Sequence, residues 1–543
     1  MNRRDWSHVT LGILTIALLL LAPATDAQQA EKLGKVQFEV SCTPTAQEQF
    51  KRGVALLHSF WFSQAAKTFT EVAQTDPGCA MAHWGMAMTL MGNPLAAPPG
   101  PNALKDGGAA AERAKAVGGK SPRERDYIAA IDQFYKDADK VEHRSRAVAY
   151  EKAMERLAQR YQDDREAGVF YALALNMTLV PTDKTYTNQL KAAKILEKVF
   201  AEQPDHPGVA HYLIHSYDFP PIANQGLTAA RRYAVIAPSA PHALHMPSHI
   251  FTRLGHWEES LATNRNSANV AQGEVNVRHP GSASWDALHA LDYMVYGYLQ
   301  LGQDRAAAGV LEEIRGYQSL DVEHFAAYYA LAAMPARYAL ERRRWSDAAA
   351  LTLHPPQLSW PKFPQSEAVA VFARGLGAAR SGDVAEARRA RARLEVLRDT
   401  LTQMKSAYWA EQTEIQRMVV SAWATLAEGK REDGLALMRS AAEREDATEK
   451  HPVTPGPLVP ARELLGEMLL ELKQPAQALR EFEASHKVEP NRFHGLAGAA
   501  RAAELAGDAA KAKTYYTQLV ALAAKADTER PEVQRARAFL GKN

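Results

Sequence analysis

Two histidine pairs, one repeat apart, carry the clearest chemical signal in the sequence. The segments PDHPGVAHYLIH, ending at His215, and PSAPHALHMPSH, ending at His249, align without a gap at a spacing of 34 residues. The alignment places His211 on His245 and His215 on His249. Because residues four apart lie on one face of a helix, each HxxxH pair presents both imidazoles in the same direction. The sequence therefore predicts two equivalent imidazole pairs on neighbouring helices.

Imidazole pairs of this kind are typical ligands of transition metals. An HxxxH pair on one helix face supplies two nitrogen ligands, and zinc, copper, iron and nickel all accept imidazole. Nine of the 18 histidines lie between residues 206 and 289, so imidazoles are concentrated around the two pairs. Pro247, inside the second pair, is expected to kink its helix. Two other interpretations stay open: a metal-free polar pocket for a small or anionic ligand, and histidines that only pack or contact a peptide.

A third segment repeats the same positions with other side chains. Asp292 and Tyr296 lie ten and six residues before a turn glycine, where the second HxxxH pair lies in its own repeat. His242 and His289 also share one place, thirteen residues before the glycine of each repeat. We predict as metal ligands His211, His215, His245, His249 and Asp292. The predicted ligand-binding residues around them are His242, His289, Tyr296, Asp218 and His451.

Weaker candidates surround this set. Asp218 follows His215 and either orients it, as a carboxylate behind a metal ligand, or caps the helix end. Glu411, Glu414 and His451 reach the histidines only if the second part of the chain folds back. His58, beside aromatic residues in HSFWF, is interpreted as packing between repeats.

Motifs of known catalytic sites are absent from the sequence. It contains no nucleophile elbow, phosphate-binding glycine loop, CxxC pair or HExxH motif. A general base for hydrolysis would have to come from Asp292 or from a glutamate of the second half. Whether the site is catalytic is therefore left open.

The charge composition and the N-terminal residues indicate what the protein could bind and where it is located. Lys plus Arg (64) nearly balance Asp plus Glu (62), which gives no electrostatic reason to expect nucleic-acid binding. Arg3 and Arg4, the apolar run LGILTIALLLLA and the small residues PATDA are typical of a signal peptide cleaved after Ala27. The mature chain has no second long apolar run, so no membrane span is predicted there. The expected location is periplasmic or extracellular, where Cys42 and Cys79 would form a disulfide.

Helical periodicity broken by short glycine turns, as in LGHWEES, LGQDRAA, EGKREDG and AGDAAKA, predicts an all-α chain. With prolines closing the units, this pattern resembles the tetratricopeptide repeat (TPR) family, in the form of a secreted, bacterial-type protein. The resemblance is clearest at residues 204–272 and 458–526, and it implies a TPR-like α-solenoid, a right-handed superhelix of about 12 helix pairs. It also implies that His211, His215, His245, His249, Asp292 and Tyr296 face a concave groove.

Proline-rich stretches suggest the domain limits. We predict a signal peptide (1–27), a linker (28–43), an N-terminal solenoid with the histidine-rich groove (44–353), a proline-rich linker (354–365) and a C-terminal solenoid with a capping helix (366–543). The predicted helix pairs span 44–75, 79–117, 121–161, 165–203, 207–236, 241–272, 282–316, 320–353, 366–401, 406–445, 458–487 and 491–526, followed by a capping helix at 530–541. Residues 449–465 are expected to form a rigid extended segment.

The first functional hypothesis is a secreted or periplasmic binding scaffold whose groove holds a histidine-rich ligand site, for a divalent transition metal (Zn, Cu, Fe or Ni). Its partners would be a protein, a peptide or a small ligand, and neither nucleic acid nor membrane. The alternatives are a metal-dependent enzyme, hydrolase or oxidoreductase, that uses the same histidines, and a plain assembly scaffold with structural histidines.

Overall fold

Helices make up most of the computed structural model, which describes residues 31–96, 98–180 and 182–541. The predicted signal peptide and residues 28–30 of the predicted linker lie outside the described residues. The first eight helices are α1 (Pro44–His58), α2 (Phe62–Thr75), α3 (Ala80–Leu90), α4 (Pro101–Val117), α5 (Pro122–Tyr135), α6 (His143–Arg160), α7 (Arg165–Met177) and α8 (Thr187–Glu202).

The middle of the chain contains the histidine-rich repeats. Its helices are α9 (Pro207–Tyr217), α10 (Leu227–Ile236), α11 (Pro241–His245), α12 (Pro247–Arg253), α13 (Trp257–Arg278), α14 (Trp285–Gln300), α15 (Asp304–Arg315), α16 (Phe325–Glu341) and α17 (Trp345–Ala349). Two residue pairs form a short parallel sheet, β1 (Ser282–Ala283) with β2 (Ser319–Leu320). Two 3₁₀ helices span Ala223–Gly226 and Trp360–Lys362.

The last part of the chain continues the same pattern. Its helices are α18 (Pro364–Ser381), α19 (Val384–Gln403), α20 (Ala407–Ala427), α21 (Arg431–Asp446), α22 (Ala461–Glu471), α23 (Pro475–Val488), α24 (Phe493–Leu505), α25 (Ala509–Leu522) and α26 (Pro531–Leu540). No helix among the described residues is both long and apolar enough to cross a membrane.

Every predicted helix pair has its counterpart in the structure, and the all-α, TPR-like fold class is confirmed. One pair departs from the simple pattern, because proline cannot donate the backbone hydrogen bond that a helix interior requires. Pro247 divides the first helix of that pair at Met246 into α11 and α12. Met246 keeps helical backbone angles (φ −53°, ψ −35°), so the two parts follow each other directly. In place of the predicted kink, the structure shows a division of the helix that keeps His245 and His249 one turn apart.

Two large apolar clusters form the core. One draws its buried residues from positions 33–251 and the other from positions 257–536. Repeats far apart in sequence contact each other: the Trp257 indole N–H donates to the Asn491 carbonyl at 2.8 Å. Gly255, with φ +67°, lies so close to Asn491 that a Cβ at this position would be 2.6 Å from the Asn491 Cβ. The division of the chain at residues 354–365 stays a prediction.

Two further features tie distant segments together. Cys42 and Cys79 form a disulfide that joins the start of α1 to the start of α3. The 449–460 segment, the extended chain between α21 and α22, passes over the histidine-rich repeats. Within it, Lys450 pairs with Asp218 at 2.7 Å. The His451 imidazole contacts the Ala96 carbonyl at 3.3 Å, so the segment also reaches the loop after α3.

Candidate metal centre

Three imidazoles from two adjacent repeats converge to form the first histidine triad: His211 and His215 on α9 and His242 on α11. The Nε2 atom of His211 lies 3.1 Å from that of His215 and 3.2 Å from that of His242. One nitrogen of each ring can be chosen so that all three lie within 4.8 Å of one another. The predicted pair His211/His215 is thus completed by a third imidazole.

The second histidine triad repeats this arrangement one repeat further on, with His245 on α11, His249 on α12 and His289 on α14. The Nε2 atoms of His245 and His249 are 3.1 Å apart. The ring centroids of His245 and His289 are 4.3 Å apart. The division of the helix at Met246 therefore leaves the predicted pair His245/His249 facing inward together.

The two triads are neighbours, and we refer to them together as the six-histidine cluster. The rings of His215 and His249 have centroids 5.9 Å apart, and those of His242 and His245 are 6.0 Å apart. Two sites so close would place two bound ions within reach of a single small molecule.

Five of the six histidines are buried and His242 is partly buried, which corrects the expectation of residues lining an open concave groove. His211 is 0% exposed and His245 is 2% exposed. Phe60, in the turn between α1 and α2, covers the first triad, with its ring centroid 4.4 Å from that of His211. Tyr293 covers the second, and its hydroxyl lies 3.5 Å from the Nε2 of His249. Aromatic side chains thus close the space beside the histidine-bearing helices α9, α11 and α12.

Three of the six rings have their Nδ1 atom engaged by an oxygen. The Nδ1 of His211 lies 2.6 Å from the His58 carbonyl, and that of His245 lies 2.6 Å from Asn264 Oδ1. The Nδ1 of His249 lies 2.9 Å from Asp218 Oδ2. The Asn264 amide donates its Nδ2 hydrogen to the Ser260 carbonyl at 2.8 Å, which fixes its oxygen toward His245. Each of these oxygens can only accept, so each Nδ1 carries the proton.

As a consequence of these tautomers, neighbouring Nε2 atoms face each other as two hydrogen-bond acceptors. A neutral imidazole protonated at Nδ1 has a bare lone pair at Nε2. His245 and His249 are both in that state, and their Nε2 atoms face each other at 3.1 Å with no proton to share. A transition-metal ion held by these two Nε2 atoms would remove the repulsion, because it would accept both lone pairs.

The charges behind the second triad hold its orientation. Asp218 lies between the Lys450 ammonium, at 2.7 Å, and the Arg253 guanidinium, at 2.9 Å. Burial alone raises the pKa of Asp218, but the two cations outweigh it and hold that pKa far below its ordinary value. The carboxylate therefore stays ionised and keeps accepting from His249. Burial lowers the pKa values of His211 and His245 well below the ordinary value, which keeps these rings neutral.

The third predicted pair, Asp292 and Tyr296, is not part of the six-histidine cluster. Asp292 pairs instead with Arg337 on α16, at 2.9 Å, and both side chains are almost fully buried. Tyr296 accepts from the Arg492 guanidinium at 2.7 Å. The two residues occupy the predicted helix positions, but arginines from other repeats neutralise the carboxylate and bind the hydroxyl. Asp292 is therefore not among the residues grouped around a metal position.

The remaining candidates lie at the edge of the centre or away from it. Asp218 was predicted to orient His215, but it contacts the centre through His249, as an orienting carboxylate. His451 packs on Trp409, at a centroid distance of 5.0 Å, rather than on the six-histidine cluster. Glu411 pairs with Arg444 and Glu414 pairs with Arg398 and Arg417, so both are engaged within the C-terminal helices.

A second group of buried histidines was not predicted as a unit. Glu166 on α7 accepts from His58 at 2.9 Å and from His206 at 2.8 Å. The Nδ1 of His206 accepts the Val209 backbone N–H at 3.2 Å, and the Nδ1 of His58 contacts the Tyr212 hydroxyl at 3.0 Å. The only signal in the sequence is the position of His206 just before Pro207, where a side chain caps a helix. All four ring nitrogens have partners in this His58–Glu166–His206 group.

Comparisons with known proteins show similarity only in the helical architecture. No protein-family model matches the chain, and no curated protein matches its sequence. Solved structures with similar helices include Naa15/Naa10 bound to HypK-THB, at 11% identity and TM-score 0.23, covering 92% of this chain and 74% of that one. Another is the APC/C hetero-tetramer Cut9–Hcn1, at 10% identity and TM-score 0.28, covering 91% and 97%. The TPR domain of P58(IPK) has 12% identity and TM-score 0.21, covering 70% and 99%. At such values the function has to be argued from the residues of this chain.

Proposed function

We propose that this protein binds transition-metal ions in its six-histidine cluster, one ion in each histidine triad, within a TPR-like scaffold. The observation that carries the proposal is the pair of Nε2 atoms of His245 and His249, 3.1 Å apart, with both Nδ1 atoms engaged by acceptors. In the first triad the Nε2 atoms of His211 and His215 are also 3.1 Å apart, and the Nδ1 of His211 is engaged by the His58 carbonyl.

The ligand type indicates which ions suit the site. Each triad consists of three imidazoles and no carboxylate, a set that favours copper, zinc, iron or nickel over magnesium or calcium. Acceptors behind the ligands, such as Asp218 and Asn264, are typical of metal-binding histidines, because they fix the tautomer and the ring direction. A metal-free polar pocket would not need three imidazole nitrogens aimed at one point.

We also propose that the protein works outside the cytoplasm. The pairing of Cys42 with Cys79 suits an oxidising compartment, and the N-terminal pattern of charged, apolar and small residues is that of a signal peptide. A scaffold that binds a protein or peptide partner elsewhere on its surface is compatible with this metal site.

The test is elemental analysis of protein expressed with its own signal segment and purified without an affinity tag. About two transition-metal ions per chain are expected after loading with Cu, Zn, Fe or Ni and removal of excess metal. The double variant His245→Ala/His249→Ala should retain about one ion, in the first triad. The matched control His83→Ala/His486→Ala removes two histidines outside the cluster and should retain two.

Three outcomes contradict the proposal. Less than about 0.1 ion per chain with every metal would exclude a metal site of useful affinity. Unchanged stoichiometry in the double variant would show that the ligands are other residues. A single ion in the unmodified protein would exclude paired sites.

The second candidate is a metal-dependent enzyme, and the enclosure of the cluster favours it. Tyr293 donates to the Thr454 carbonyl at 3.1 Å, so the 449–460 segment closes over the second triad. A site shielded from bulk water strengthens the interactions that catalysis uses. Asp218 is paired with two cations, and Asp292 is not part of the six-histidine cluster, so neither is placed as a base for hydrolysis. We therefore place oxidation–reduction before hydrolysis.

Copper-loaded and zinc-loaded protein distinguish these chemistries. Oxidoreductase activity should appear as oxidation of a chromogenic phenol by dioxygen with copper and not with zinc. Hydrolysis of a chromogenic ester or phosphate by the zinc-loaded protein would instead favour a hydrolase over an oxidoreductase. If the loaded protein does neither, the enzyme candidate is rejected and the metal-binding proposal stands.

A further inference from the structure

A cavity of about 450 Å³ lies beside the 449–460 segment and is separate from the six-histidine cluster. Its other walls come from α16, α18, one face of α20 and the ends of α21 and α23. Its volume is in the range of sites for small organic molecules. The described residues that line it include none of the six histidines, so the metal centre does not account for it.

The positive charges of the lining exceed their carboxylate partners on one side of the cavity. Lys184 pairs with Glu449 at 2.6 Å. Lys450 and Arg253 share the single carboxylate Asp218, at 2.7 and 2.9 Å. One positive charge is therefore in excess on the side next to Asp218.

Glu489 is the carboxylate of the lining on which this excess charge acts. It is 6% exposed, and its one hydrogen bond comes from the Tyr296 hydroxyl, 3.4 Å from Oε2. Burial raises the pKa of Glu489 above its ordinary value, although Arg253 and Lys450 oppose the rise. Its Oε1 atom has no hydrogen-bond partner among the described residues, yet protein does not enclose this atom, so a molecule in the cavity can reach it.

The other two cations of the lining are Arg462 and Lys487. Arg462 pairs with Asp446 at 2.5 Å and also contacts Glu481. Lys487 is exposed, so water and salt screen its charge. Neither of them forms an ion pair with Glu445, the remaining carboxyl group of the lining.

Glu445 lies in the last turn of α21, among negative charges. Its Oε1 atom accepts the Ala461 backbone N–H at 2.7 Å, while Oε2 has no partner among the described residues and is not enclosed by protein. Burial, together with the negative charges of Asp446 and Glu489, raises the pKa of Glu445 to about 8. The end of a helix adds a partial negative charge. A carboxyl group so perturbed and reachable from a cavity is typical of a binding site.

The aromatic rings of the lining suit the same kind of ligand. Trp409 lies between Tyr329, at a centroid distance of 5.6 Å, and Tyr408, at 5.0 Å, and Phe372 contributes a fourth ring. Burial raises the pKa of the Tyr408 hydroxyl, and Glu445 is close enough for its charge to add to the rise. Aromatic rings attract a cation to their negative faces, and a carboxylate beside them strengthens that attraction.

We propose that this cavity binds a small organic cation, a molecule with an ammonium group on an apolar body. The ammonium group lies between Glu445 and the rings of Tyr408 and Trp409, where it supplies the positive charge that Glu445 lacks. The apolar body lies along Ile415 and Val419 on the same face of α20. The proposal does not depend on metal in the six-histidine cluster.

Three probes that share a phenylethyl body and differ in charge test the ligand class, by calorimetry on the full-length protein. The cation 2-phenylethylammonium is expected to bind about tenfold more tightly than the neutral 2-phenylethanol. The anion 3-phenylpropionate should bind most weakly, because Glu445 and Glu489 repel it. Equal or tighter binding of the neutral probe or the anion, or no binding of any probe, would overturn the proposal.

Removal of one charge tests the place of binding. Glu445→Gln keeps a side-chain oxygen for the Ala461 N–H and should weaken 2-phenylethylammonium binding about tenfold, while 2-phenylethanol binding changes less than about twofold. Thermal stability should be unchanged or higher, because the variant removes a buried carboxyl group without a cation partner. The matched control is Glu151→Gln, a buried glutamate outside the cavity, which should leave both affinities unchanged. Undiminished binding of the cation by Glu445→Gln, or an equal loss in the control, would overturn the assignment to Glu445.

A second substitution tests the aromatic wall. Trp409→Leu should weaken 2-phenylethylammonium binding about fivefold. The matched control is Trp285→Leu, because Trp285 is also partly buried and packs against the same apolar cluster but does not line the cavity. Binding that is undiminished in Trp409→Leu, or lost equally in Trp285→Leu, would contradict the position given to the ammonium group.

Discussion

The buried histidines of this protein form two groups that differ in what their nitrogens contact. In the His58–Glu166–His206 group, a carboxylate lies between two rings and accepts from both. In the six-histidine cluster, the carboxylate Asp218 lies behind His249, and the inward Nε2 atom meets another imidazole. Both groups have ligand atoms close enough to hold a metal ion, and all of their side chains are buried except His242, which is partly buried.

The difference shows how the position of an acceptor decides the role of a buried histidine. An acceptor between the rings completes their hydrogen bonds and leaves nothing for an ion to do. An acceptor behind the ring sets the tautomer and directs a lone pair into the interior. We expect the first group to act in stability and the second in metal binding.

The largest effect should come from removing a metal ligand. His249→Ala is expected to weaken metal binding in the second triad by roughly 1000-fold, about 4 kcal/mol, because one of three imidazoles is lost. Competition with a chelator of known affinity measures this change. His206→Ala is the matched control from the other group and should leave the affinity within about threefold. Equal losses in the two variants would abolish the distinction between the groups.

The next effect tests the other group. Glu166→Ala is expected to lower the free energy of unfolding by about 3 kcal/mol, because His58 and His206 lose their buried acceptor. Denaturant unfolding of chelator-treated protein measures it without a contribution from metal. Glu151→Ala is the control, a buried glutamate that contacts Lys152 and Thr178 near the surface. A similar loss there would mean that Glu166 is an ordinary buried carboxylate.

A pH series refines that result. Burial raises the pKa of Glu166, but His206 and His58 outweigh burial and hold that pKa at about 2, below the ordinary value of 4.5. A lowered pKa stabilises the fold above pH 4.5 and loses this contribution as the pH falls toward 2. The difference in unfolding free energy between the unmodified protein and Glu166→Gln should therefore shrink by about 2 kcal/mol between pH 6 and pH 3. A constant difference would show that Glu166 is not held ionised by its histidines.

The smallest effect concerns an acceptor behind a ligand. Asn264→Ala frees the Nδ1 of His245 and is expected to weaken metal binding about tenfold, without removing a ligand. Asn176→Ala is the control, because this buried amide donates to Ser216 and touches no imidazole. Chelator competition at fixed pH compares the two. Equal affinity in both variants would show that orientation by Asn264 contributes nothing.

Local features of the sequence were enough to predict the helices. The turn glycines and closing prolines lie within a few residues of the helix ends that they determine, so the 12 helix pairs and the capping helix follow from short stretches of chain. The two HxxxH pairs were predicted for the same reason, since both members of each pair lie on one turn of one segment.

Contacts between distant repeats could not be predicted in this way. Repeat register places Asp292 level with the histidines, but Arg337, 45 residues later, binds its carboxylate. His242 and His289 were predicted as residues near the ligand rather than as the third imidazole of each triad, because register does not specify which way a side chain turns. Glu166 contacts His58 across 108 residues, with no repeat spacing to indicate it.

The 449–460 segment has a consequence for how this chain can change in evolution. In an open repeat array each unit contacts only its neighbours, so units can be gained or lost at little cost. Here His451 reaches Ala96 across 355 residues, and Lys450 reaches Asp218 across 232 residues. An inserted or deleted repeat would displace these partners by a full helix pair. The number of repeats is therefore constrained by the centre that they surround, and the chain should tolerate changes in surface turns far better than changes in repeat number.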